Sequence, residues 1–354
     1  MRKCNAACLL PLLAGTACVT AGQIHVPADF QAIQAAIDAA AAGDEIIVAP
    51  GTYSGPINLS KGVVLRSEAG PDETVLQWSG GGSVVVIESN DGATLAGFTV
   101  TGGNAQNGGG LFVSGDAVVA DCIIRGNTAT NGGGAFLVGS PTLSGVSFED
   151  NNAGAGGAVC LGPDADAVID NCTFSNNSAD TGGGVYVGPG VGAGTFAVVG
   201  AGSFETNSAD RGGGLFVACG GVEVDQSVFE ANSAASDGGA VELLDALPST
   251  ISETRFEGNN ADERGGAVRL SGISDLLISN GTVTQNTAGR AGGGIDSDPG
   301  ATLSVGGSTL FGNQPADIEG QWNDLGGNSF EQGPLCDADL AAPFGILDMN
   351  DIMA

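Results

Sequence analysis

Basic residues are scarce in this chain, ten against forty acidic ones, for a formal net charge of −30 at pH 7. Two of the ten, Arg2 and Lys3, lie at the very start, and beyond them the only lysine is Lys61. Such a surface repels phosphate backbones and anionic lipid, which excludes nucleic-acid binding and peripheral membrane attachment while leaving it able to hold divalent cations. Long apolar runs are also missing. The longest, from about Ala6 to Ala17, falls short of the ~18–20 residues a bilayer-spanning helix needs. Preceded by Arg2 and Lys3 and followed by Val19 and Ala21, it reads as a secretory signal cleaved after Ala21, residues 1–21. Aromatics make up only 5% and charged residues 14%, too few for a bundle of charged amphipathic helices.

Glycine fills the gap, with 62 residues, while hydrophobic residues at 42% supply enough apolar surface for a core. Of the eight cysteines, three leave with the signal, and Cys122, Cys160, Cys172, Cys219 and Cys336 remain. Five cannot all pair. Cys122 and Cys172 occupy equivalent repeat positions but two repeats apart, beyond disulfide reach at ~4.8 Å per stacked coil. Buried single thiols are the expectation.

The glycines belong to a repeat. "TFSNNSADTGGGVYV" begins at Thr173, "SFETNSADRGGGLFV" at Ser203 and "RFEGNNADERGGAVRL" at Arg255. The marker asparagines are Asn127, Asn151, Asn177, Asn207, Asn232, Asn259, Asn286 and a degraded Asn313, spaced 24 to 30 residues apart. Each of the first seven is followed by Ser, Thr or Asn and then Ala, and a Gly run begins five or six residues later. Between them lie short alternating runs bounded by Gly and Asn, which is a strand signal and not a helical period. Three short strands and three turns fit each repeat. Stacked, they predict an all-β fold: a right-handed parallel β-helix solenoid of about ten coils over residues 22–332.

Column identity is what such a repeat encodes, because equivalent residues stack. The Asn column is expected to bond amide to amide and to supply left-handed backbone at one corner, and the Gly pair to supply a corner where a β-carbon would clash. Phe148, Phe174, Phe204, Phe229 and Phe256 are expected to stack inward. "PADFQAIQAAIDAAAAGDEIIVAPGTY" fits an N-terminal capping helix, with Phe30, Ile33, Ile37 and Ala40 or Ala41 on one face and Gly43 at its end. That segment resembles the opening of the pectin-lyase-like β-helix superfamily. The Phe-x-x-Asn and Gly-Gly pairing over residues 97 to about 313 resembles the repeats of the chlamydial polymorphic outer-membrane proteins. The resemblance implies a β-helical passenger with an adhesive role.

Where chemistry could sit depends on which columns face out. After each Gly pair, the fifth position of the run holds Phe112, Phe136, Cys160, Tyr186, Phe216, Glu242, Arg269 and Asp296. It alternates with aliphatic neighbours and ends in three charged residues, so it is expected to face solvent as an aromatic stripe over the first five coils. Phe112, Phe136, Tyr186 and Phe216 are the candidate binding residues, suited to sugar rings or a partner's apolar ridge. Packing of these rings on one another is the plainer alternative. A second set, Asp180, Asp210, Arg211, Asp237, Asp262, Glu263, Arg264 and Arg290, has the carboxylates and arginines that the superfamily resemblance would require of a polysaccharide lyase. A solvated salt-bridge ladder explains it more simply. A polygalacturonase-type site would need a histidine motif, and the sole histidine is His25.

The composition changes at about Gly333. "GILDMND" from Gly345, with Asp348 and Asp351, and the upstream Asp337 and Asp339, resembles the first half of a GC-type dockerin over residues 333–354. The resemblance implies calcium as the cofactor and a sorting or anchoring partner. The sequence therefore points to a secreted or cell-surface, non-catalytic β-helix that presents a binding face to polysaccharide or a surface protein. A polysaccharide lyase or glycoside hydrolase of the pectin-lyase-like superfamily is the alternative.

Overall fold

The computed structural model describes residues 21–89, 92–190 and 194–331. Residues 1–20 of the signal segment and the tail carboxylates Asp337, Asp339, Asp348 and Asp351 lie outside the described residues. What is described is a parallel solenoid of about 11 turns, with every strand paired to its equivalents one coil before and after. Each full coil carries four strands, not three. In one coil these are Leu111–Gly115, Val118–Ala120, Ile123–Arg125 and Thr128–Asn131. The resulting sheets hold 11, 13, 12 and 8 strands among the described residues. The fourth strand is the Asn-Ser-Ala segment itself, which sequence patterning treats as a turn. Its backbone pairs coil to coil, as in Thr128↔Asn152↔Ser178, because extended segments stacked in register satisfy their own amides.

One apolar core runs the length of the molecule, from Val26 to Leu310. Its most regular feature is the inward Phe column. Consecutive rings from Phe148 to Phe256 stack nearly parallel, 5.3, 4.5, 4.3 and 5.0 Å apart, and all five are fully buried. Beside it the asparagines form a ladder. Each Oδ1 accepts from both the backbone N–H and the side-chain amide of the preceding Asn, as between Asn207 and Asn232 at 3.0 Å for both bonds. Each amide donates as well to the carbonyl of the previous coil, Asn207 to Phe174 at 2.9 Å. A buried polar column of this kind is stable because every donor and acceptor has a partner.

The left-handed corner does not fall on the asparagine, as the sequence suggests, but on the residue before it. Asp150, Asn176, Thr206, Ala231 and Gln285 take φ between 52° and 57°. The asparagine cannot occupy that position because its side chain is committed inward to the ladder. The Gly pair behaves as expected. A β-carbon on Gly133 would lie 2.5 Å from the carbonyl oxygens of Asn152 and Gly157, so the corner closes only around glycine.

The first coil is covered by a helix, Ile33–Ala39, shorter than the pattern suggests; it stops well before Gly43. Ile33, Ala36 and Ile37 seat it on the core. The solitary Lys61 explains its own presence there. Its ammonium donates to the helix-end carbonyls of Ile37, Asp38 and Ala40 at 3.1, 2.8 and 2.9 Å, and so satisfies groups the helix leaves open. Cys122, Cys160 and Cys172 are buried free thiols, but Cys219 is exposed, at a left-handed position with φ 56°.

A groove at the re-entrant corner as candidate functional site

The 8-stranded and 11-stranded sheets meet at the Gly pair, where the chain reverses so tightly that the outer surface becomes concave. Two columns line this corner. The floor is the column anticipated from the sequence: Phe112, Phe136, Cys160, Tyr186, Phe216, Glu242, Arg269 and Asp296 are in direct register. The lip beside it stands five residues earlier in each coil and holds Asn107, Asn131, Ala155, Thr181, Arg211, Asp237, Arg264 and Ala291.

In the first coils the groove is open. Phe112, Phe136 and Tyr186 are half-buried, and a hollow of about 310 Å³ is bounded by Gln106, Asn107 and Asn131 on one side and Pro163 and Pro189 on the other. Phe112 and Phe136 stack at 5.9 Å, Tyr186 and Phe216 at 5.8 Å, and Cys160 leaves a gap between the two pairs. Glycines hold the far wall close: a β-carbon on Gly162 would lie 2.7 Å from the Phe136 ring. The Asn131 amide donates to Asn107 at 2.9 Å, which fixes the amide lip.

From Phe216 onward the same corner is closed. Phe216 is only 3% exposed, and the Arg211 guanidinium lies over its ring, 5.2 Å from the centroid. That guanidinium donates through Nε and Nη2 to both oxygens of Glu242, which is fully buried. The next coil reverses the signs. Arg269 bonds Asp296 and, at 2.7 Å, Asp298, and Arg264 approaches Asp298 at 3.9 Å. Burial pushes the Glu242 carboxyl up to about 7, against the opposing pull of the Arg211 hydrogen bonds. Asp296 is likewise raised by burial. Burial also acts on Asp298, but bonds from Arg269 and Gly272 outweigh it and leave that carboxyl lowered. Two buried polar atoms in this cluster, Asp237 Oδ1 and Arg269 Nε, have no partner.

The expectation of a solvent-facing stripe across five coils is therefore corrected. The column does point away from the central core, yet Cys160, Phe216, Glu242, Arg269 and Asp296 are all buried. Charge does not mark exposure here, because each charged floor residue is matched by an opposite charge from the lip or an adjacent coil. The second charged set divides as well. Arg290 and Glu263 form an exposed pair at 3.1 Å, and Asp180, Asp210 and Asp262 are exposed, as a solvated ladder would be. Arg211 instead turns into the groove cluster, while Arg264 stays exposed at its edge, 3.9 Å from Asp298. The floor charges at Glu242, Arg269 and Asp296 carried a legible signal that patterning of a single column misses: lip and floor residues lie at i and i+5, and signs alternate from coil to coil. The amide lip and the two prolines had no such signal. Among the described residues, no cluster of His, Cys, Asp or Glu is arranged to hold a metal ion, and no helix is long and apolar enough to cross a membrane.

The family pattern for a right handed beta helix region matches residues 82–232, the stretch that contains the open groove. The chain folds as a right-handed parallel β-helix. Two solved β-helices resemble it along most of its length. One is the A-module of the mannuronan C-5 epimerase AlgE6 from Azotobacter vinelandii, 18% identical, with a TM-score of 0.51 over 84% of this chain and 94% of that one. The other is the catalytic unit of a thermostable GH87 α-1,3-glucanase from Streptomyces thermodiastaticus, 15% identical, with a TM-score of 0.53 over 92% of this chain and 70% of that one. At such identities the likeness concerns the β-helix itself. No curated protein matches by sequence.

Proposed function

We propose that this β-helix is a secreted or surface-displayed carbohydrate-binding protein, which holds a neutral polysaccharide in the open part of the groove and does not cleave it. The observation that carries this reading is the pair of half-buried rings, Phe136 and Tyr186, on the floor of a hollow edged by the side-chain amides of Gln106, Asn107 and Asn131, with half-buried Phe112 stacked against Phe136. Aromatic faces accept the apolar faces of sugar rings, and amides both donate to and accept from hydroxyls. The net charge of −30 disfavours uronic-acid polymers, which leaves uncharged glycans as the matching class. That two structurally similar proteins act on polysaccharides, a mannuronan and an α-1,3-glucan, agrees with a carbohydrate ligand. Export by residues 1–21 and calcium-dependent sorting by residues 333–354 complete the proposal.

A second reading, polysaccharide lyase or hydrolase, draws on one feature: Glu242, poised near neutrality at the end of the groove. A general acid must touch its substrate, however, and Glu242 is sealed beneath Arg211. Calorimetric titration with soluble α-glucans, β-glucans, mannans and polyuronates, with turnover assayed in parallel with and without calcium, separates the two. Binding of a neutral glycan without turnover is expected, and Phe136→Ser with Tyr186→Ser should weaken it at least tenfold. Depolymerisation of any of these would establish the enzyme, and failure to bind any would remove the groove from consideration.

A further inference from the structure

The groove is open at one end and stopped at the other, and the stop has a specific chemistry. Phe136 and Tyr186 border the hollow, each with one face covered by its stacking partner, Phe112 or Phe216, and the other toward the gap at Cys160. At the next coil the place a ligand would occupy above Phe216 is taken by the Arg211 guanidinium. The side chain of Arg211 is 34% exposed, so it is both wall and accessible surface. A guanidinium carries five N–H donors. Arg211 gives Nε and one Nη to Glu242, which fixes its plane and leaves the remaining donors directed elsewhere.

Resting on the reading of the groove as a neutral-glycan site, we infer that it is a blind slot for the end of a polysaccharide chain, with the terminal sugar on Tyr186 and its hydroxyls against Arg211. Two observations converge on this. The hollow ends at Tyr186, Gly188 and Pro189, and does not continue past Phe216. Lip and floor change character in the same coil, from Thr181 and Tyr186 to Arg211 and Phe216, so that the wall spans the full width of the corner. A carboxylate end group would fit less well, because the charge of Arg211 is already opposed by Glu242, with Asp237 close by.

A chain-end slot and a through-groove differ in how affinity depends on chain length. The open floor from Phe112 to Tyr186 spans three coil steps, ~14 Å, and so holds only a few sugars. In a blind slot every chain presents one productive end, and the molar dissociation constant stops improving once the floor is filled. In a through-groove each added sugar adds a register, and affinity per chain keeps rising with length. The test takes the tightest-binding neutral glycan of the titration panel as a series of defined lengths, measured by calorimetry on the full chain. The expected result is a plateau beyond about four sugars. Arg211→Gln combined with Glu242→Gln removes a buried charge together with its partner and so protects the fold, which circular dichroism checks; it should weaken the short chains at least tenfold. Affinity that climbs steadily with length, or short chains indifferent to the Arg211 change in a folded variant, would overturn the slot and leave the groove as a binding site. Absence of binding by every chain would overturn both.

Discussion

The floor column of the re-entrant corner is one structural feature with two chemistries, and its halves repay comparison. From Phe112 to Tyr186 it holds rings that remain half-exposed; from Phe216 to Asp296 it is buried and, past Phe216, ionic. The backbone is the same in both halves, since the strands continue in unbroken register. What differs is the lip. Beside Asn, Ala and Thr the floor rings stay half-exposed, whereas Arg211 lies over Phe216 and bonds the buried Glu242. In a solenoid, an open groove and a structural seal can thus alternate along one column according to the residues of its neighbour.

The halves should part most clearly in stability. Phe216→Ser empties a buried site beneath a guanidinium and is expected to cost ~3–5 kcal/mol, read by chemical denaturation. Glu242→Ala should follow at ~3 kcal/mol, because it strips Arg211 of its partner, although that side chain can still turn toward solvent. A loss below ~1 kcal/mol in either case would mean that the charged half is as open as the aromatic half.

A smaller effect separates the halves by pH. The folded Glu242 carboxyl titrates near 7, above its ordinary 4.5, so the folded protein holds this proton more tightly than the unfolded chain. Its contribution to stability is whole below about 4.5, declines as pH rises, and is gone above about 7. Glu242→Gln should flatten the stability profile across that window by about one proton, while Tyr186→Ser should leave its slope unchanged. An unaltered slope in Glu242→Gln would place the carboxyl in contact with water. Smallest of all should be the stability cost of Phe136→Ser or Tyr186→Ser, ~1–2 kcal/mol each, in contrast to their large effect on glycan affinity.

How much of this could be read beforehand follows from what a repeat records. Inward columns are legible because burial tolerates little variation: the Phe stack, the Asn ladder and the Gly corner all appear where spacing places them. The floor column is also legible as a column. Its environment is not, because exposure depends on a second column five residues away and on the side-chain length of Arg211, which no single-column alternation contains. The misplaced left-handed corner has a related cause. The sequence marks where asparagine is needed, but the ladder that needs it directs the side chain inward and shifts the strained residue one position back, to side chains as different as Thr206 and Ala231. The helix ends earlier than its pattern suggests because Ala40 is extended, and the carbonyls left open there are taken by Lys61, which lies outside the segment that predicts the helix.

The contrast between open and sealed halves is tested most directly by hydroxyl-radical footprinting of the native protein, with and without the glycan that binds it. Phe136 and Tyr186 should oxidise readily in the free protein and be protected by glycan, whereas Phe216, one coil further along the same column, should resist oxidation in both states. Equal labelling of Tyr186 and Phe216, or labelling of Phe136 and Tyr186 that a bound glycan leaves unchanged, would contradict a groove that is open over one half and closed by Arg211 over the other.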